Sequence, residues 1–246
     1  MNRGDLLPEL LARLPPDVRP AASPVVDRIF SLWAADRSRV YEGGTRLART
    51  RDVGEALAVL EAAIRRAIAT GAPRRTFVHA GVVGWRGRAI VLPGASRSGK
   101  TSLVAALARR GASYLSDEYA VLDATGRVHP FAKPLSVRPA GGCDRHASRV
   151  APSALGARVG RRPLPVGLVL FTAHREGARW NPVSVSPGRA VLEMLRHAAP
   201  ARLRPEPVLD ALCAATARAV LLESDRGEAD DAAALVLRAL DEAAPR

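Results

Sequence analysis

The chain has 246 residues, a formal net charge of +13, 48% hydrophobic and 25% charged residues, and only two cysteines. That length holds one large domain or a domain with a small accessory unit, and the composition is that of an ordinary globular protein. Two cysteines make neither a disulfide framework nor a zinc set, no apolar run approaches a membrane span, and 4% aromatic content leaves few stacking platforms for single-stranded nucleic acid.

In chain order, residues 1–22 read as a short helix and a proline-containing tether; the acids inside the apolar stretch of MNRGDLLPELLARLPP argue against a secretion signal. Residues 23–75 read as a small α+β unit: a helix from Pro24 to Ala35, a strand at Arg39–Glu42, a turn at Gly43-Gly44 and an amphipathic helix from Val53 to Ala69. A larger unit follows over 76–246. It opens with a hairpin, strand 76–83, turn Gly84–Gly87 and strand 88–92. Beyond it the pattern predicts a helix over Thr101–Arg110, strands at Ser113–Leu115 and Ala120–Leu122 around the acids Asp117 and Glu118, and a turn at Thr125-Gly126. Residues 139–165, rich in Pro, Gly and Arg, are expected to form a long loop, either a mobile one that gates a substrate or a plain surface excursion. Strands are expected at 166–171, 181–185 and 219–223, with helices from the Ser186-Pro187 cap to His197, over 207–217 and over 229–242.

The most informative residue is Lys100. Of 37 basic residues only Lys100 and Lys133 are lysines, in a composition that otherwise uses arginine wherever a positive charge is enough. Lys100 ends the run Gly94-Ala95-Ser96-Arg97-Ser98-Gly99-Lys100-Thr101, which fits the phosphate-binding pattern G-x-x-x-x-G-K-[ST]. A compact ammonium suits the β- and γ-phosphates where a planar guanidinium does not. Strand, glycine loop and helix N-terminus aim backbone N–H groups and the helix dipole at an anion. On this reading Gly94 through Ser102 bind the nucleotide, and Thr101 holds Mg²⁺ through its hydroxyl. Lys133 is marked by the same scarcity of lysine, with a surface lysine as the alternative. The basic balance favours nucleotides, phosphates or acidic peptides as partners. The arginines are scattered, with no block longer than a doublet, so duplex nucleic acid is disfavoured.

The usual second acid is missing, because the strand at 166–171 runs into Thr172-Ala173. The acids lie instead just past the loop helix, at Asp117 and Glu118. In this placement the chain resembles the HPr serine kinase/phosphorylase family, related in fold to phosphoenolpyruvate carboxykinase. His79 stands fifteen residues before Gly94 and Asp117 twenty-three after it, and Lys133-Pro134-Leu135 resembles a segment of the family's stand-alone relatives. The resemblance implies an α/β P-loop kinase fold of the HPr kinase C-terminal domain type, with a small α+β N-terminal unit packed on it. It implies ATP and Mg²⁺ as cofactors and Asp117 as the base that takes a proton from an acceptor hydroxyl. Glu118 would help hold Mg²⁺, His79 would orient acceptor or phosphate, and Lys133 would contact the phosphoryl group or substrate. The alternative for Asp117-Glu118 is a solvated turn, and for His79 a satisfied strand histidine. Arg138 follows on the Lys133 segment and reads as one surface arginine among many. Two departures stand out: the family's Asp-Asp pair is Asp117-Glu118 here, and 139–165 carries no counterpart of the glycine-rich signature tied to phosphorolysis and hexamer formation.

The expected function is therefore a cytoplasmic ATP-dependent kinase acting on a hydroxyl, a serine of a protein or of a ribosomally made peptide, with oligomerisation left open and no membrane partner. A nucleotide-binding regulator without catalysis is the alternative, and an ATPase acting on nucleic acid the third reading.

Overall fold

The computed structural model describes residues 2–14, 25–95, 98–137 and 148–243. The chain divides into two compact units, Met1–Gly71 and Ala72–Arg246.

The N-terminal unit begins with a 3₁₀ turn, Gly4–Leu6, that continues into α1 (Leu7–Leu11). Three strands follow, β1 (Phe30–Trp33), β2 (Ser38–Glu42) and β3 (Thr45–Thr50), then α2 (Val53–Gly71). The strands form an antiparallel meander in the order β1-β2-β3. Leu6, Leu10, Leu32 and Val40 pack with Ala56, Leu57 and Leu60 of α2. The helix expected from Pro24 to Ala35 is corrected: Pro24 lies outside the described residues, and 30–33 is a strand. Leu32 is buried while Trp33 is exposed, an alternation of period two, and pairing with β2 overrides the helical propensity of the neighbouring alanines. Strand β3 was not expected, because its arginines mask the alternation.

The C-terminal unit is mixed α/β. Its strands and helices run β4 (Thr76–Trp85), β5 (Arg88–Pro93), α3 (Lys100–Arg109), β6 (Ser113–Ser116), β7 (Tyr119–Leu122), β8 (Val128–His129), β9 (Leu135–Val137), β10 (Ser148–Val150), β11 (Val166–Phe171), β12 (Val183–Ser184), α4 (Pro187–Arg196), α5 (Pro205–Thr216), β13 (Val220–Glu223) and α6 (Ala229–Glu242). The main sheet has the order β12-β13-β11-β5-β4-β7-β8, with β6 also paired to β4. Strands β5, β11 and β13 are mutually parallel and the remaining pairs antiparallel. Along β5, Ala89 and Val91 face one core and Ile90 and Leu92 the other. The first core carries Ala190, Val191 and Met194 of α4 with Val208, Ala211 and Leu212 of α5; the second carries Leu103, Val104 and Leu107 of α3 with Ala233, Val236 and Leu240 of α6. A sheet buried on both faces explains why 89–92 and 166–171 read as unbroken runs without a polar side chain.

Two details correct the expectations. Strand β4 runs through Gly84 and Trp85, and the hairpin turns on Arg86 and Gly87 alone, both at positive φ (47° and 79°), as a two-residue primed turn requires. The long loop expected over 139–165 is not structureless where it is described. Strand β10 pairs with β9, Pro152–Leu155 is a 3₁₀ turn, and single bridges join Tyr114 to Val159 and Val128 to Leu164. Composition signals turns there, but the backbone groups find partners on neighbouring strands. The gating proposal for this segment loses its basis over 148–165; residues 139–147 lie outside the described residues.

Candidate functional site

Strand β5 runs into the glycine-rich loop, and α3 begins at Lys100. Gly99 is the residue before the helix and holds φ = +85°, a left-handed conformation that favours glycine. Lys100 is buried, and its Nζ donates to the carbonyl oxygen of Gly94 at 2.8 Å and to that of Ala95. Thr101 and Ser102 occupy the first turn of α3, Thr101 half-buried and Ser102 exposed. Ser96 and Arg97 lie outside the described residues, as does Arg138.

The acid pair sits in the bend between β6 and β7. The Ser116 hydroxyl accepts from the backbone N–H of Glu118 (3.1 Å) and of Tyr119 (3.0 Å), which fixes the bend. Lys133, itself 6% exposed, places Nζ 3.3 Å from Asp117 Oδ1 and 3.3 Å from Glu118 Oε2. The one lysine outside the glycine loop is therefore an ion-pair partner of both acids rather than a surface residue. The Tyr114 hydroxyl lies 3.1 Å from Asp117 Oδ1 and 2.9 Å from the Lys133 carbonyl oxygen, so its single proton is shared between two acceptors. Burial, and then the Asp117 charge, push the Tyr114 phenol well above its ordinary value, so it remains a donor.

His79, on β4, joins the two halves. Its backbone carbonyl accepts from the Gly94 N–H at 3.3 Å, and its ring Nδ1 is 2.7 Å from the Glu118 carbonyl oxygen. The Ala80 N–H also donates to that oxygen, at 3.0 Å. Burial lowers the His79 pKa, and the Lys100 ammonium adds to that; the Glu118 carbonyl and the two carboxylates pull the other way. The neutral ring is assigned Nδ1–H as donor to Glu118, which leaves Nε2 as an acceptor. His197, whose carbonyl accepts from the His79 N–H at 2.8 Å, is likewise lowered by burial, by His79 and by Lys100.

The structure thus brings His79, Lys100, Asp117, Glu118 and Lys133 into one neighbourhood. Sequence reasoning missed Tyr114 and His197. Tyr114 precedes Asp117 by three residues on a short strand, but nothing local shows that its hydroxyl returns to the carboxylate. His197 arrives through the end of α4, which no spacing predicts. Among the described residues no three His, Cys, Asp or Glu side chains converge on one metal-binding point. One carboxylate, Glu118, and one hydroxyl, Thr101, suit a hard cation such as Mg²⁺ that takes most of its oxygens from phosphate and water. An open cavity of about 280 Å³ lies within the N-terminal unit between Asn2, Ser31, Leu32, Trp33 and Tyr41, and contains none of these residues. Among the described residues no helix is long and apolar enough to cross a membrane. Compared with known protein families, curated proteins and solved structures, the chain matches none.

Proposed function

We propose that the chain is an ATP-dependent kinase of the HPr serine kinase type, with a P-loop kinase fold in its C-terminal unit, acting in the cytoplasm. It transfers the γ-phosphoryl group of Mg-ATP to a hydroxyl, a serine of a protein or peptide. One observation carries the reading: a single residue, His79, binds the glycine-rich loop through its backbone and the acidic bend through its ring. A lysine-bearing anion cradle and a buried carboxylate, Asp117, with the half-buried Glu118 beside it, are the two parts that phosphoryl transfer needs, one to hold and neutralise phosphate and one to take a proton.

In this reading ATP supplies the phosphoryl group and Mg²⁺ neutralises its charge. The N-terminus of α3 would cradle the phosphates, and the Lys100 ammonium would turn from its loop carbonyls to the β/γ oxygens. Thr101 and Glu118 would hold the cation. Asp117 takes the acceptor proton, Lys133 sets the charge beside it, and the neutral His79 ring fixes the bend that presents both acids. The alternative, a nucleotide-binding regulator, is favoured by one feature: the Asp117 side chain is only 3% exposed and already engaged by Lys133 and Tyr114.

Calorimetry with Mg-ATP and transfer of labelled phosphate to a serine-peptide array test the proposal. Asp117→Asn is expected to bind Mg-ATP as the parent does and to transfer about 10²–10⁴-fold more slowly. Binding without transfer by the parent protein establishes the regulator; absence of binding removes both readings.

A further inference from the structure

Arg226 is the one buried arginine among the described residues, 2% exposed where the other described arginines keep contact with water. Its Nη1 donates to the Gly227 carbonyl at 2.8 Å and its Nη2 to the Gly99 carbonyl at 2.7 Å; its Nε is buried without a hydrogen-bond partner. Among the described residues no carboxylate comes within 4.0 Å of the guanidinium. The nearest acid in charge terms is Glu228, whose side chain is 80% exposed and faces His174 at 3.5 Å. Burial pushes the Arg226 pKa down and the Glu228 charge opposes it only in part, so the folded protein holds this charge with no carboxylate in contact among the described residues. Such a charge is costly to bury unless something negative compensates it.

Its location says what that negative group is. The ends of β11 and β13 lie beside the end of β5, where open parallel sheets bind ligands. His174 pairs with Arg226 across those ends, and its N–H donates to the Ser98 carbonyl at 3.4 Å. Both strand extensions therefore grip the last two residues of the glycine-rich loop before Lys100. A Cβ on Gly99 would come 2.5 Å from Arg226 Nη2 and 3.3 Å from the His174 Cβ, so a side chain there would displace the guanidinium. A second buried polar atom without a partner, Thr172 Oγ1, stands on the same strand extension. The α3 N-terminus, Lys100 and Arg226 are three positive elements around one loop.

We propose that Arg226 is a positioning residue of the anion site formed by this loop, holding the Gly99 turn by its carbonyl and adding a fixed positive charge that only a bound polyphosphate neutralises. This rests on the nucleotide reading above and adds a residue to it. Were Arg226 only structural cement, a neutral side chain would serve without the desolvation.

The two roles separate when ligand-free stability and ligand affinity are measured together on the full chain. Arg226→Met, Arg226→Gln and Arg226→Lys are compared with the parent by thermal melting, and by calorimetry with Mg-ATP and with inorganic tripolyphosphate. Arg226→Met and Arg226→Gln are expected to melt at or above the parent temperature, because an uncompensated charge is gone, and to bind both ligands ~10-fold or more weakly. Arg226→Lys, which keeps charge but not the fork, should recover part of the affinity. Arg226→Gln keeps a donor for Gly99, so a folded Arg226→Gln that binds tripolyphosphate as tightly as the parent overturns the inference. So does a lowered melting point with unchanged affinity, or failure of all three variants to fold, since each assigns Arg226 to the fold alone. If the parent binds neither ligand, the nucleotide reading itself falls and the inference with it.

Discussion

At the level of single residues, the two lysines are the clearest case of chemistry visible before structure. Lys100 is buried and turned onto the carbonyls of its own loop, and Lys133 is buried between two carboxylates. Arginine is the rule elsewhere, so both positions are expected to reject it. Lys100→Arg is expected to lose Mg-ATP turnover as completely as Lys100→Ala, because the longer planar head cannot occupy the pocket at Gly94 and Ala95. Parent-rate turnover by Lys100→Arg in a coupled ATPase assay would show that the ammonium has no special place. The histidines make a different prediction. His79 and His197 are both held below their ordinary value of 6.5, first by burial. The unfolded chain therefore takes up protons that the folded chain refuses. Their contribution to stability is complete above pH 6.5 and lost as pH falls from there through the depressed folded value. The urea midpoint should drop between pH 7.5 and 5, and His79→Gln should flatten that drop; an unaltered slope would rule out His79 as the titrating group.

At the level of elements, most of the C-terminal unit follows local rules. Helix α6 falls on the expected residues, and α4 starts at the expected Ser186, whose hydroxyl accepts from the Arg189 N–H at 3.4 Å. What local rules miss is where a strand is defined only by its partner. Strands β1 and β3 depend on pairing with β2, and β10 on pairing with β9. The contact of α3 with β4 is equally invisible in sequence. An added Cβ at Gly81 would lie 2.6 Å from Val104 Cγ2 and 3.7 Å from the Lys100 Cβ. Gly81→Ala should therefore push α3 off the sheet and cost about 1–3 kcal/mol by denaturant unfolding. Adding Val104→Ala should return part of that loss, a non-additivity expected of touching residues. Strict additivity would mean that α3 does not bear on Gly81.

On the scale of the whole chain, the division at Gly71 gives each unit its own core. Leu57 is fully buried in the N-terminal unit, among Leu32, Val40 and Leu60. Leu57→Ala should destabilise that unit by about 2–5 kcal/mol. Calorimetric scanning should show the loss in one transition, with Mg-ATP affinity unchanged. A parallel fall in nucleotide affinity would show that the first unit supports the site in the second.

The sequence by itself determined the parts whose cause is local. The glycine-rich loop was legible because strand, glycines, lysine and helix start are contiguous. The apolar runs of β5 and β11 were legible because burial on both sheet faces removes alternation. His79 and Asp117-Glu118 were legible only as spaced residues with a resemblance behind them; their contact depends on β4 lying between β5 and β7. Tyr114, His197 and Arg226 were decided by tertiary structure alone. Arg226 is 127 residues from the Gly99 carbonyl it holds, and in a chain so rich in arginine its type carried no signal. Only burial distinguishes it, and burial is a property of the packed sheet, not of any stretch of sequence.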